Sequence, residues 1–596
     1  MRSPREISFR LRQELANLRM FVMPPTLTAD QKPPLPGLPD PTLVADRLRG
    51  SEFARTVEAL AEEIVAHRFP LLAYEIDTGP EIDWQRDYVH GIRPDAQYFR
   101  LVPYLDFHKA GDHKVIWELN RHQHLIVLAQ AFLLTGRAEF VIEIQRQLES
   151  WLSANPYLRG MNFTSALEVA FRALSWIWVY HLAGSALTGA FRHRLLGAIY
   201  RHGAYLEHNL SVYFSPNTHL LGEGVALHAI GKLFPKFPHS RRWKRRGAEI
   251  VDEALDKQVH DDGTHFEQST YYHVYALDLF LLHYILAGKI PRKLEKMAEY
   301  LHAVMGPERS LPFFGDDDGG RLFHPYGTRS EFGRATMATC AVLFERPDWD
   351  VEIRDLEEQA IWWLGDRPMP KQADIARELQ LFEQAGIAVI TEGDLHVVAD
   401  AGPFAEGSGG HSHSDTLSFV MRLGEEEVLI DPGTYTYVAE PDLREWFRSS
   451  AAHNTIRIDG LNQATAVGPF RWMEHPETDV WKQKDGALEG VCRYHGFTHR
   501  RRILVQRQRM LVHDEVFGPK GVHVVEQFWH TGEQMEQLAP NLFQIGVRTL
   551  LTVSGPATLE EGWRSRVLGH KEFAPVVRFK RESPFPVALT TEFTWK

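Results

Sequence analysis

The hydrophobic period of this chain changes once along its length, and that change constrains the fold more than any other feature. From residue 51 to about residue 375, apolar residues recur at i, i+3 and i+4, as in RHQHLIVLAQAFLLTG, ALEVAFRALSWIWVYHLAG and YYHVYALDLFLLHYILAG. These segments end near Gly, Asn or Pro and run for about 12–20 residues, as globular helices do. After about residue 380 the pattern alternates, or falls into short β-branched runs bounded by Gly and Pro, as in TLSFVMRLGEEEVLIDPG, HNTIRIDG and THRRRILVQRQRMLVHDEVFGP. The pattern predicts a multidomain chain, α then β. A helical domain over 51–375 is followed by an antiparallel β-sandwich over 376–596. Successive helical hairpins without a fixed repeat suit an incomplete α/α toroid, and an irregular bundle would show the same periodicity. Residues 1–50 stand apart. Phe9, Leu11, Leu15, Leu18 and Phe21 mark an amphipathic helix, and PPTLTADQKPPLPGLPDP reads as an extended segment. The helix is expected to pack on the body, with membrane-surface binding as the alternative.

Composition excludes several classes. A net charge of −12 gives no general reason to bind nucleic acid or an anionic membrane, so a polyanionic ligand would need a local basic cleft. Cys340 and Cys492 are the only cysteines, which removes a disulfide framework and a cysteine-based zinc site. The longest uncharged run, 173–191, contains Ser, His and Thr and breaks at Gly184, so it reads as a buried helix and a turn rather than a transmembrane segment. The N-terminus lacks the apolar core of a secretory signal, and a cytoplasmic location is expected, with a periplasmic or secreted one as the alternative if the start is incomplete. Oligomerisation is left open.

Several stretches carry chemistry. In SPNTHLLGEG (215–224), Pro216 suits a helix start, which places Asn217 and His219 in the first turn, where a carboxylate can be held. A capped helix with a half-buried polar face is the plainer reading. DDGTHFEQSTYYHVYALD (261–278) alternates His265, Glu267 and Ser269 and then opens a helix with Tyr271, Tyr272 and His273. A tyrosine used as an acid or base would need a neighbouring cation to lower its pKa. Glu168 and Arg172 share a helix face at i, i+4, where an ion pair is the ordinary explanation. Arg172 could instead grip an acidic sugar, and Asn120, Arg121 and His124 of WELNRHQH offer another substrate wall. GDDDGGR (315–321) reads as a surface acidic turn. The richest stretch is 405–459. His411, His413 and Asp415 alternate after two glycines, a strand delivers Asp431, and a third segment brings His453 and Asn454. An extended backbone would place the first three on one face. The most economical metal set is His413, Asp431 and His453, with nitrogen and oxygen donors suited to zinc or another divalent cation, leaving His411 to face a substrate.

SPNTHLLGEG, DGTHFEQSTYYH, GGHSHSDTLSF, IDPGTYTY and SAAHNTI, in that order across roughly 100–530, resemble the bacterial heparinase II/III family of polysaccharide lyases. The resemblance implies β-elimination at a bond 4-linked to a uronic acid, on an acidic polysaccharide or oligosaccharide. It implies that Asn217, with His219, holds the substrate carboxylate. Tyr272 protonates the leaving oxygen and can also take the C5 proton when both lie on one face; His411 is the base when they do not. Arg121, Glu168, Arg172, Asn120, His124 and His273 would line the substrate. His413, Asp431 and His453 match the family's metal site. The metal there is structural: zinc first, calcium or manganese otherwise. A uronyl C5-epimerase and a non-catalytic glycan-binding or biosynthetic accessory protein are the rivals. A glycoside hydrolase would need a pair of carboxylates across a cleft, and none stands out.

Overall fold

The helices begin and end where the periodicity predicts, because the residues at their ends cap them. Ser51 and Thr188 each accept a hydrogen bond from the first turn of the helices Glu52–Val65 and Gly189–Asn209. The computed structural model describes residues 3–349, 351–365, 367 and 379–596, so the predicted boundary at 375/376 lies outside the described residues. The helix Ala166–Ala183 is buried along its whole length, its two charged residues Glu168 and Arg172 included. It packs on His124–Thr135, Gly189–Asn209 and Thr218–Leu233, and the last of these packs in turn on Ser240–Gln258 and Thr270–Ala287. This succession of neighbouring helices is what an α/α toroid needs. Glycine permits the closest approach: a Cβ on Gly231 would lie 2.3 Å from Lys244 N, and one on Gly247 2.4 Å from His228 N. Among the described residues, no helix is long and apolar enough to cross a membrane.

The second half is mainly antiparallel β, with a short helix at Pro441–Phe447. One eight-stranded sheet runs Glu477–Lys484, Ala487–Tyr494, Phe497–Gln506, Arg509–Phe517, Val587–Trp595, Thr549–Thr552, Leu542–Ile545, Met535–Ala539. A four-stranded sheet (Ala557–Val567, His570–Pro584, Val522–His530, Ile456–Ile458) and a five-stranded sheet (Gln380–Phe382 through Glu426–Leu429) complete it. A single core unites them, with Phe419, Trp481, Ile503, Trp529 and Phe593 all buried in it. Arg501 is buried at its centre. It pairs with Asp514 (2.7 Å from Nε) and donates to the carbonyls of Leu417 and Asn454 (2.6 Å each). Asn454 in turn donates to Phe419 O and Ile430 O and accepts from His530 N–H, so one amide ties three strands together.

The five-stranded sheet is also the joint between the halves. Its strand Leu395–Asp400 is buried almost throughout instead of on alternate residues. One face meets the sandwich core, and the other meets the helical core through Val389, Val398 and Val420. Phe382 packs edge-on against Tyr300 at 4.9 Å.

Glu427 clamps this sheet to the four-stranded one through Arg564 (2.8 Å), with Arg566 at 3.2 Å. Burial opposes its charge, but Arg564, Arg422 and Arg566 prevail and hold the carboxyl down to about 2 against an ordinary 4.5. The unfolded chain therefore takes up this proton first on acidification. The contribution of the clamp is complete above about pH 5 and is lost as pH falls toward 2. Urea midpoints measured against pH should show this loss, and Glu427→Gln should flatten it. A variant curve parallel to that of the parent would disprove the assignment.

Candidate active site at the seam of the two halves

Two helix N-termini meet a β-domain loop. Asn217 caps Thr218–Leu233, accepting from His219 N–H at 3.2 Å, and Ser269 caps Thr270–Ala287, accepting from Tyr272 N–H at 3.2 Å. The helix start at Pro216–Asn217 is the one the sequence predicts. Both ends carry partial positive charge. Asn217, His219 and Tyr272 line one cavity of about 720 Å³ together with His411, Glu267, Tyr437 and Phe470. The His411 ring stacks on the Tyr272 ring, with centroids 3.9 Å apart and planes at 25°. Glu267 is buried. It accepts from Asn217 Nδ2 at 2.6 Å and lies 3.7 Å from His411 Nε2.

Asp316 organises the β-domain side. Its carboxylate accepts from His411 Nδ1 (3.1 Å), His413 Nε2 (3.0 Å) and both terminal nitrogens of Arg444, one of them at 2.7 Å. Burial works against its charge, yet Arg444 and the two imidazoles hold it well below the usual carboxylate range. The segment is threaded between the halves: Ser269 Oγ donates to Asp316 O, and Asp316 N–H donates to His411 O (2.9 Å). Gly315 allows this passage. Its φ is +69°, and a Cβ there would meet His411 O at 2.7 Å and Gln268 O at 2.9 Å.

His413, Asp431 and His453 offer ligand atoms within 4.8 Å of one another. Asp431 is hydrogen-bonded to His453 Nδ1 at 2.9 Å. His413 Nδ1 and His453 Nε2 are buried without a hydrogen-bond partner, as donors awaiting a cation would be. Asp415 and Asp400 lie in the same buried cluster. Burial pushes both carboxyls up, each reinforced by the other or by Asp431. This donor set fits a divalent cation. Asp316, which holds the far nitrogen of His413, is the kind of outer partner that orients a metal-bound imidazole.

The titrating groups separate by environment. Burial, followed by the charges of Tyr437 and Asp318, pushes Tyr272 well above the ordinary phenol value, which favours the protonated hydroxyl. Burial opposes charge on His411, but Asp316 and Glu267 outweigh it, making the imidazole more basic than usual. Burial takes His219 down to about 4 and raises Glu267.

The geometry corrects several sequence expectations. Arg172 does not face the cleft or pair with Glu168. It is buried, donating to His202 Nε2, Asn120 O and Asn162 O, with its guanidinium over Trp151. Arg121 is the partner of Glu168, through bonds of 2.8 and 2.9 Å, and this pair does line the cavity. Asn120 is structural, bonded to Trp84 O, Ile116 O and Trp151 Nε1. His124 is buried against Gln147, and His273 is turned away onto Met297 O. His411 to Asp415 form a turn and bends instead of an extended strand. The largest correction concerns GDDDGGR, which is buried. Asp316 serves both imidazoles, Asp317 pairs with Arg329, and Asp318 accepts from Tyr271 and pairs with Lys114 at 3.1 Å. Asp316 and Glu267 are the two site residues the sequence reading did not select. The alternation of Glu267 with His265 and Ser269, and the acidic run GDDDGGR for Asp316, were the local signals.

Residues 45–322 match the family model for the heparinase II/III N-terminus, and residues 374–585 match the heparinase II/III-like C-terminal model. A heparin-sulfate lyase of Pedobacter heparinus is 25% identical over 501 residues, covering 79% of this chain and 68% of that protein. One of Bacteroides stercoris is 22% identical over 466 residues, covering 72% of this chain and 66% of its own. The chain thus spans about two thirds of the length of these relatives. A crystal structure of heparinase III superposes with a TM-score of 0.69 at 16% identity, covering 98% of this chain and 89% of that one, which establishes likeness of fold.

Two substitutions test the site as built. Asp316→Asn leaves the buried Arg444 without its counter-charge and should cost roughly 3–5 kcal/mol in urea unfolding. A loss under about 1 kcal/mol would remove Asp316 from its organising position. His453→Ala should lower both metal content, by elemental analysis, and melting temperature. Metal loading equal to that of the parent would show the ligand set to be wrong.

Proposed function

The chain belongs to the heparinase II/III-like family, and from that premise we propose that it cleaves a 4-linked uronate polysaccharide by β-elimination at the seam. It is a polysaccharide lyase, as its relatives named heparin-sulfate lyases are. The observation that carries the mechanism is the stacked Tyr272–His411 pair beside Asn217.

The C5 proton of a uronate is barely acidic while the carboxylate is charged, so the site must offset that charge first. Asn217, His219 and the two helix N-termini would do this by holding the substrate carboxylate between them. Burial raises the Glu267 carboxyl, which lessens its repulsion of an incoming carboxylate. Asp316 takes the Nδ1–H of His411, which leaves Nε2 as the proton-accepting atom. His411 Nε2 removes the C5 proton, electrons move into the C4–C5 bond, the C4–O4 bond breaks, and Tyr272 gives its proton to O4. The products are an unsaturated uronate end and a free hydroxyl. Fixed dipoles and hydrogen bonds around the developing enolate supply most of the stabilisation. A divalent cation, zinc by the donor set, with calcium or manganese as alternatives, would be held by His413, Asp431 and His453 and would rigidify the loop carrying His411.

The cavity also speaks to substrate class. Its four lining cations, Arg10, Arg100, Lys114 and Arg121, each pair with a carboxylate: Glu6, Glu14, Glu118 and Glu168. Among the described residues, no Lys or Arg that lines this cavity is without a carboxylate partner. We therefore assign a carboxylated polymer of low sulfation.

A panel of sulfated and unsulfated uronate polymers, followed by the ultraviolet absorbance of the unsaturated product, tests this reading. Unsulfated substrates should give the larger kcat/KM. Tyr272→Phe should lower kcat by roughly 10²–10⁴-fold with little change in stability, since it removes only the hydroxyl. A folded, metal-loaded enzyme that yields no unsaturated product from any polymer would falsify the proposal. Solvent deuterium appearing at C5 without chain cleavage would identify an epimerase instead.

A further inference from the structure

The N-terminal helix Pro4–Val22 has two unlike faces. Its inner face is anchored. Asn17 and Asn209 exchange side-chain hydrogen bonds of 2.9 and 2.8 Å, Met20 is buried, and Phe9 and Phe21 pack on Tyr213 and Tyr98 at 5.3 and 5.2 Å. Phe9, Arg10 and Gln13 form part of the cavity wall. The helix is therefore held in register, and its outer face is a fixed surface.

That outer face is apolar. Ile7, Leu11, Leu15, Leu18 and Val22 are all exposed, Leu15 at 69% and Val22 at 75%. At 3.6 residues per turn they fall within an arc of about 80°. Arg5, Arg12 and Arg19 occupy the next roughly 40° of the helix surface. These three are exposed and form no ion pair among the described residues. The helix's two glutamates are spent elsewhere: Glu6 bonds Arg10 (2.8 Å), and Glu14 pairs with Arg100 (2.8 Å). The outer face thus combines a continuous apolar stripe with an unanswered row of positive charge, on a chain whose net charge is −12.

We propose that this face docks on an anionic lipid membrane. The stripe would enter the boundary between headgroups and acyl chains, and Arg5, Arg12 and Arg19 would meet lipid phosphates, the arrangement of an interfacial amphipathic helix. A second copy of this helix laid on the same face would cover the stripe but bring only glutamates already paired with Arg10 and Arg100. An anionic bilayer satisfies both. Because the inner face of the helix lines the cavity, docking sets the site beside the lipid surface.

Co-sedimentation of the full chain with vesicles tests this. The protein should partition onto mixed phosphatidylglycerol–phosphatidylcholine vesicles, weakly onto pure phosphatidylcholine, and less as salt rises. Leu11→Ser with Leu15→Ser should abolish partition. Arg5→Gln, Arg12→Gln and Arg19→Gln together should reduce it by roughly 100-fold, at about fivefold per arginine. Neither variant should change melting temperature or turnover of a soluble uronate polymer, because none of these five residues lines the cavity. Absence of binding to anionic vesicles overturns the proposal. So does binding insensitive to the leucine changes, which would indicate a soluble polyanion on the arginines alone. A dimer by sedimentation velocity that the leucine changes dissolve, with no vesicle binding, would assign the face to self-association.

Discussion

One buried carboxylate connects the parts of this molecule that must act together. Asp316 comes from the helical half but is bonded almost entirely by the β half, through His411, His413 and Arg444. A charge in that position is tolerable only because Arg444 and two imidazoles surround it, and the same bonds orient both rings. One imidazole stacks on Tyr272 while the other belongs to the cluster suited to a cation. Whatever shifts Asp316 therefore shifts the His411 ring and the candidate metal ligands at once. Gly315 shows how closely this is built, since any side chain there would strike the carbonyl of His411.

The remaining electrostatics follow from where the site lies. A seam between domains can bring helix N-termini from one half against strand-end loops of the other, which neither half could do alone. Burial keeps the Tyr272 proton in place and raises Glu267, while paired charges hold Arg121, Lys114 and Asp318 as a rigid wall. These cations are structural counter-charges to the carboxylates that line the cavity with them. Away from the site, the N-terminal helix divides its surface between cavity wall and exposed stripe, coupling the edge of the pocket to whatever covers that face.

Much of this was legible in the chain itself. The change of hydrophobic period marks the two halves because a helix and a half-buried strand bury side chains at different spacings. Pro216 and Asn217 mark a helix start because capping is local chemistry, and His413, Asp431 and His453 could be chosen together because metal ligands are few and chemically distinct. Glu168 and Arg172 show where this fails. Their i, i+4 spacing is a valid local argument, yet Arg121, 47 residues away, takes the carboxylate with better bidentate geometry.

The sequence by itself determined the order of the two architectures, the helix ends carrying Asn217 and Tyr272, and the ligand candidates, since each rests on interactions within a few residues. Only the tertiary structure decided that Asp316–Asp318 are buried. Three adjacent aspartates are solvated by default, and of their partners Arg444 and Lys114 come from distant parts of the chain while Arg329 lies 12 residues on from Asp317. It also decided which polar residues face the cavity and which, like Asn120, His124 and His273, are consumed inside the helical core. A buried polar group must be satisfied, and what satisfies it depends on packing that no local pattern encodes.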